Sequence, residues 1–380
     1  MDSSDSGEEL RPSPPESESE SWTSSSVMFS GEDSRSSIGD TSATSSGSSG
    51  EIPEAMVVGV RPPAPEISGE TPARERCVGR PDRVSWGSTS VIGRRAEMED
   101  AIAVAPEFIS PTCGHVGGCT APDSRSSGHA LPLHFFGVYD GHGGSQVAGF
   151  CAQRMHEIIA EEWNQEGIDA YEWQKRWKEA FISGFKRADD QITTEVIASE
   201  MVGSTAVVAV VSGCQIILSN CGDSRAVLCR RTQTIPLTVD HKPDREDELL
   251  RIEGQGGRVI NWNGARVFGV LAMSRAIGDR YMSPFIIPVP EVTFTTRSDE
   301  DECLILASDG LWDVISNDEA GEVARRLLRR RRRAMVAGDI CPAQVVADKL
   351  TQLAIGRNSS DNISVIVVDL KSRRRHQATQ

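Results

Sequence analysis

An α+β sandwich of four layers, α-β-β-α, is the fold this sequence predicts, with two mainly antiparallel sheets inside and helices outside. Three observations lead there. Six short runs rich in β-branched residues are bounded by Gly, Asp or Ser. Two longer stretches repeat apolar residues at three- and four-residue steps. After the second stretch the runs follow one another through short turns, which joins neighbouring strands antiparallel.

Taken in order, the chain opens on a segment with no core of its own. Residues 1–50 hold nineteen serines, and residues 1–75 carry fifteen acidic against four basic side chains. So polar a segment cannot bury enough surface to offset its ordering entropy, and 1–75 reads as a disordered acidic tail. Most of the formal charge of −15 belongs to it. A globular domain is expected over 76–370, followed by a short basic tail, 371–380. Its strands are "HFFGVYD", "TAVVAVV", "QIILSNC", "RAVLCR", "ECLILASDG" and "ISVIVVDL". One helix is predicted over 145–163, with Val147, Phe150, Cys151, Met155, Ile158, Ile159 and Trp163 on its inner face. A second, over 170–197, aligns Trp173, Trp177, Phe181, Phe185, Ala188, Ile192 and Val196 as core packing.

No run approaches the ~18 apolar residues of a membrane span, and the N-terminus lacks the pattern of a secretory signal. A soluble intracellular protein with reduced cysteines is the expectation, since the nine cysteines are odd in number and mostly lie in apolar contexts. "CGHVGGC", Cys113 to Cys119, offers soft ligands in a Gly-rich loop, but the sequence shows no partner pair nearby, so it reads as loop rather than zinc site. The insertion around it, 109–134, reads as a flexible loop.

The strand ends carry the chemistry. Asp140 and Gly141 follow one apolar run, Asp309 and Gly310 follow another, and Asp361 opens a third. Glu99 and Asp100 in "GRRAEMEDA" and Asp223 in "NCGDSRAVL" add acid in similar settings. Carboxylates gathered at sheet ends repel one another unless a cation sits between them, and hard oxygen donors favour magnesium or manganese over zinc. One Asp-Gly is an ordinary turn signal. Their order and company say more.

"GRRAEMEDA", "FFGVYDGHGG", "VGSTAVVAVV", "NCGDSRAVL", "DHKPDREDE", "SRAIGDRY", "LILASDGLWD" and "DNISVIVV" together resemble the metal-dependent type 2C serine/threonine protein phosphatases. The resemblance implies a metal centre at one edge of the sandwich. Two ions, Mg²⁺ or Mn²⁺, would be bridged by Asp140 and completed by the Gly141 carbonyl, Asp309 and Asp361. Glu99 would hold a metal water, Asp100 would order the shell behind it, and Asp223 would support a third, weaker site. Water activated by both ions would attack phosphorus without a covalent intermediate. Arg95 matches the phosphate-binding arginine and His142 the general acid, while Arg94 reads as a surface charge.

The stretch "GGRVINWNGARVFGVLAMSRAIGDRYMSPFIIPVPEVTF" is similar to the plant group A enzymes, the abscisic acid co-receptors. That similarity implies a phosphorylated protein kinase of the SnRK class as substrate and a hormone receptor of the PYR/PYL/RCAR class as inhibitor. Trp262 would be the receptor anchor, at a hairpin tip set by Asn-Gly turn chemistry. Arg266 and Phe268 match its neighbours on the flap, and Gly143 and Ser145 the contacts at the catalytic rim. A side chain at Gly143 would obstruct an entering receptor loop. Nucleus and cytoplasm are the implied locations.

Other chemistries fit less well. "CVGRPDR" and "CTAPDSRS" have the Cys-x5-Arg spacing of cysteine phosphatases, yet neither follows a strand nor supplies a glycine cradle. "RRLLRRRRR" holds seven arginines between 325 and 333, a pattern of helix ends and import signals. No groove-reading motif accompanies it, so neither nucleic acid nor membrane is an expected partner. A catalytically weak scaffold on the same fold is the alternative, disfavoured because every matched metal position holds its acid.

Overall fold

The computed structural model describes residues 77–78, 84–121, 128–163, 172–334 and 340–371. The expected tail 1–75 and all of the expected tail 371–380 except Lys371 lie outside the described residues. In chain order come β1 (Ser85–Val91), β2 (Ala101–Ile109), helix α1 (Cys113–Val116), β3 (Leu133–Tyr139), β4 (Gly141–His142), and helices α2 (Gln146–Trp163) and α3 (Trp173–Thr194). Tight turns then join β5 (Gly203–Ser204), β6 (Ala206–Val211), β7 (Gln215–Cys221), β8 (Arg225–Arg230) and β9 (Gln233–Pro236). Helix α4 (Glu246–Gly254) leads into a hairpin, β10 (Val259–Asn261) and β11 (Ala265–Val267), then β12 (Ile277–Gly278). The chain closes with β13 (Glu291–Thr296), β14 (Asp301–Ala307), α5 (Asp309–Trp312), α6 (Asn317–Ala334), α7 (Pro342–Gly356) and β15 (Ile363–Asp369).

Two five-stranded sheets result, in the orders β1-β15-β14-β8-β9 and β13-β7-β6-β3-β2. Every pairing between these strands is antiparallel. Period-two alternation builds the layers. Along β3, Phe135 and Tyr139 face α2 and α3, while Phe136 and Val138 face the other sheet. Along β15, Val365 and Val367 face α6 and α7, while Ile366 and Val368 meet the strands opposite. Helices therefore cover both outer faces, as the sequence predicts. No helix of the described residues is long and apolar enough to cross a membrane.

Four local readings need correction. Helix α3 stops at Thr194, and Val196, expected on its inner face, has φ 52° and is 83% exposed. A β-branched residue in the left-handed region cannot continue a helix, so apolar spacing overran the true end. The 109–134 insertion is not merely loop. Its α1 buries Val116 and accepts, at the Val116 carbonyl, the Trp177 indole N–H at 3.0 Å. Nor do Cys113 and Cys119 lack partners, because Cys77 and Cys214 converge on them from distant parts of the chain. Finally, the arginine run is not uniformly solvated. Arg325, Arg329 and Arg332, spaced one helical turn apart, turn inward to Thr234, Glu302 and Asp369.

Candidate active site

The strand ends named by the sequence meet at one end of the two sheets. Asp140 and Gly141 leave β3, Asp223 lies in the β7–β8 turn, Asp309 opens α5 after β14, and Asp361 precedes β15. They line a cleft of about 770 Å³ together with Arg95, Glu99, His142 and Gly143. Asp100 stands behind this layer, 8% exposed, and accepts a hydrogen bond from Ser308 at 2.9 Å. Close packing explains the motif glycine. A Cβ at Gly141 would lie 2.3 Å from the Glu99 carbonyl oxygen, and one at Gly310 would lie 1.9 Å from that of Asn362.

The electrostatics identify what the cluster requires. Burial first, then Asp100, Asp309, Asp223 and Asp361, pushes the Asp140 carboxyl well above its ordinary range. Asp309 rises to about 8, by burial and then by Asp223, Asp313 and Asp361. Asp100 rises to about 6, mainly through burial. Asp223 keeps one ammonium partner, Lys242 at 2.6 Å, and its buried Oδ1 has none. So many oxygen donors, so near and so poorly compensated by protein cations, fit hard divalent ions. Asp140, Asp309, Asp361, Glu99, Asp223 and the Gly141 carbonyl are the donors present.

The remaining predicted residues divide between the cleft and its rim. Arg95 is half exposed and pairs with Asp361 at 2.6 Å, so its guanidinium stands directly beside the acids. Arg94 is exposed and reaches Asn358. His142 Nε2 lies 2.7 Å from Oδ2 of the fully buried Asp279, leaving Nδ1 without a partner among the described residues. The sequence reading passed over Asp279, although "SRAIGDRY" contains it. A second signal was the glycine of "VGSTA". A Cβ at Gly203 would fall 2.0 Å from Asp279 Oδ2 and 2.5 Å from His142 Nε2, so the pair needs Gly there.

At the rim, Trp262 is 78% exposed at the tip of the β10–β11 hairpin. Its backbone N–H donates to the Gly264 carbonyl at 3.0 Å, and Asn263 and Gly264 take φ of 53° and 107°, the left-handed values that Asn and Gly tolerate. Asn263, Gly264, Ala265 and Arg266 border the acidic cleft itself. Arg266 donates to the Val270 carbonyl at 2.7 Å, and Phe268 rests edge-on against Phe285, centroids 4.9 Å apart. Ser145 is exposed just ahead of α2. Gly143 has a reason of its own for lacking a side chain. With φ 69°, a Cβ there would come within 2.6 Å of the Met201 carbonyl oxygen, so substitution strains this chain before any partner arrives.

The cysteine-phosphatase spacings find no support in this geometry. Their arginines, Arg83 and Arg125, fall outside the described residues, while Cys77 and Cys119 face each other across 3.5 Å and do not line the cleft.

The protein phosphatase 2C family model matches residues 85–363. Probable protein phosphatase 2C 6 of Oryza sativa subsp. japonica is 50% identical over 316 residues, spanning 77% of this chain and 68% of that protein. Protein phosphatase 2C 56 of Arabidopsis thaliana is 53% identical over 308 residues, spanning 76% and 69% respectively. Among solved structures, a serine-threonine phosphatase 2C from Toxoplasma gondii superposes with a TM-score of 0.60 at 24% identity, covering 78% of this chain and 98% of that one. A C. elegans sex-determining protein superposes at 0.61 and 23% identity, covering 77% and 66%. These last two speak for the fold.

Proposed function

The chain belongs to the protein phosphatase 2C family and is a metal-dependent serine/threonine protein phosphatase, and we propose that it acts as a negative regulator of abscisic acid signalling. In this reading it dephosphorylates a protein kinase activation loop and is inhibited by a hormone-bound receptor seated over the cleft, in the nucleus and cytoplasm. Divalent ions, Mg²⁺ or Mn²⁺, two by resemblance, would supply Lewis acidity there and make a water more acidic.

The protein groups have separable tasks. Asp140, Asp309 and Asp361 would hold the cations, with Glu99, Asp100 and Asp223 supporting them. Arg95, exposed at the mouth and already beside Asp361, is placed to grip phosphate oxygens with its planar fork. His142 delivers a proton to the departing serine or threonine oxygen. Asp279, 2.7 Å away, positions that imidazole.

One observation carries the regulatory reading: a large apolar side chain, Trp262, stands in solvent on a hairpin whose next residues border the acidic cleft. An indole so exposed costs solubility unless something covers it, and it combines anchoring area with an N–H donor. The test is receptor titration against phosphatase activity with abscisic acid present. Trp262→Ala is expected to leave hydrolysis of a small phosphate ester unchanged and to weaken receptor inhibition about thirtyfold, roughly 2 kcal/mol. Undiminished inhibition of the variant would remove the hormone-receptor reading while leaving the phosphatase intact.

A further inference from the structure

We propose that Cys77, Cys113, Cys119 and Cys214 form a structural zinc site, separate from the catalytic cleft and at the far end of the same sheet. Their sulfurs lie within 4.8 Å of one another. The closest contacts are 3.4 Å for Cys77–Cys113, 3.5 Å for Cys77–Cys119, 3.6 Å for Cys113–Cys214 and 4.0 Å for Cys119–Cys214. Four sulfurs held ~2.3 Å from a tetrahedral zinc are separated by about 3.8 Å, the middle of that range. The set is closed: four thiolates leave no position for water or substrate, the arrangement of a structural site rather than a catalytic one.

The surroundings suit bound thiolates. Thr120 donates to Cys214 Sγ twice, from its backbone at 3.3 Å and its hydroxyl at 3.2 Å, and the Ala121 N–H reaches Cys119 Sγ at 3.4 Å. Donors of this kind orient and stabilise sulfur ligands. The Arg297 guanidinium, 4% exposed, is anchored on the Ser212 carbonyl at 2.8 Å and interacts electrostatically with Cys214, offsetting the charge of a tetrathiolate centre. Gly117 and Gly118, at φ 92° and 60°, turn the chain so that Cys119 returns towards Cys113.

Soft sulfur donors select zinc over the hard cations that suit the acidic cleft. As each Zn–S bond forms, the corresponding thiol proton passes to solvent. Cys214 occupies the β6–β7 turn, whose strands run about 20 Å to the acidic end. There the ion ties together three segments distant in sequence: the entry to the domain at Cys77, the α1 insertion, and the turn of a central hairpin. Fixing a loop to a buried hairpin limits its local opening, which is what an insertion lacking a large apolar core of its own requires.

The test is elemental analysis of the full chain purified without chelator and dialysed into magnesium buffer. About one zinc per chain is expected, retained by Asp140→Ala, in which the catalytic cluster is damaged, and lowered tenfold or more in Cys119→Ser and Cys214→Ser. Because a cysteine variant can fail to fold, wild-type chain grown in cobalt gives a second readout: strong visible absorption from tetrahedral sulfur ligation, displaced by added zinc. Zinc that disappears in Asp140→Ala but persists in the cysteine variants would place it in the catalytic cleft and overturn the proposal. So would iron in place of zinc, a Cys77–Cys113 disulfide in the native chain, or no metal beyond that of the acidic cleft.

Discussion

Two groups of buried carboxylates lie in the same domain and titrate in opposite directions. Around Asp309 and Asp140 the nearest charges are mostly other carboxylates, and both groups are pushed up, Asp309 to about 8. Glu248, on α4 and only 1% exposed, meets Arg275 at 2.5 Å and Arg251 at 2.8 Å, with Arg245 at 3.6 Å, and it falls to about 2 although burial opposes this. Burial raises all three acids, so the neighbouring charges decide the direction. A buried acid compensated by guanidinium is part of the scaffold, whereas a buried acid facing further acids is a place prepared for a cation, with stability given up in exchange.

The sharpest way to break this comparison is Asp309→Ala. Turnover of a phosphopeptide should drop about a thousandfold or more, even at saturating Mn²⁺, because a cation ligand is gone. In EDTA the same variant should unfold at least as late as wild type, gaining about 1 kcal/mol, because it removes one of several mutually repelling charges. Near-normal turnover at saturating metal would refute the ligand assignment, and a large stability loss in EDTA would refute the electrostatic account.

A smaller effect is expected from Asp279→Asn. This buried acid belongs to neither group, since its observed partner is His142. It should lower kcat about a hundredfold with little change in KM, because the imidazole loses the carboxylate that holds it in place. An unchanged kcat would mean that the carboxylate only packs.

Much of this was legible before any coordinates, and the rest was hidden for identifiable reasons. All six strands read from the sequence lie inside the sheets, where both faces are covered and the residues form continuous apolar runs. In the two five-stranded sheets the four strands not read, β1, β2, β9 and β13, are the edges. One side of an edge strand faces solvent, so "SWGSTSV" and "EVTFTT" mix polar and apolar residues without a clear signal. At the site, acids placed by strand ends were readable because motif and topology coincide. Asp279 was missed because its meaning lies in a contact with His142, 137 residues away. The cysteine cluster was missed for the same reason, as Cys77 and Cys214 approach Cys113 across 36 and 101 positions. The network at Glu248 offered no cue either, although Arg251 within it also bonds the Phe285 and Ser274 carbonyls beneath the flap.

That network gives the mildest effect. A folded value near 2 against an ordinary 4.5 corresponds to about 3 kcal/mol at ~1.4 kcal/mol per pH unit. Sharing among three arginines reduces the expectation to about 2 kcal/mol. The sign follows from the depressed value: the contribution is complete above the unfolded pKa of about 4.5 and is lost as pH falls towards about 2. Raised carboxylates such as Asp309 act oppositely, so total stability mixes the two and the difference between variants is the useful quantity. Thermal unfolding of wild type and Glu248→Gln, both in EDTA, should differ by about 2 kcal/mol near pH 6, with the gap narrowing below about pH 4.5 and closing towards pH 2. Turnover at saturating metal should stay within about twofold, since Glu248 touches no residue of the cleft floor. A gap that stays constant with pH would mean Glu248 acts by packing alone, and would dissolve the contrast between compensated and uncompensated acids.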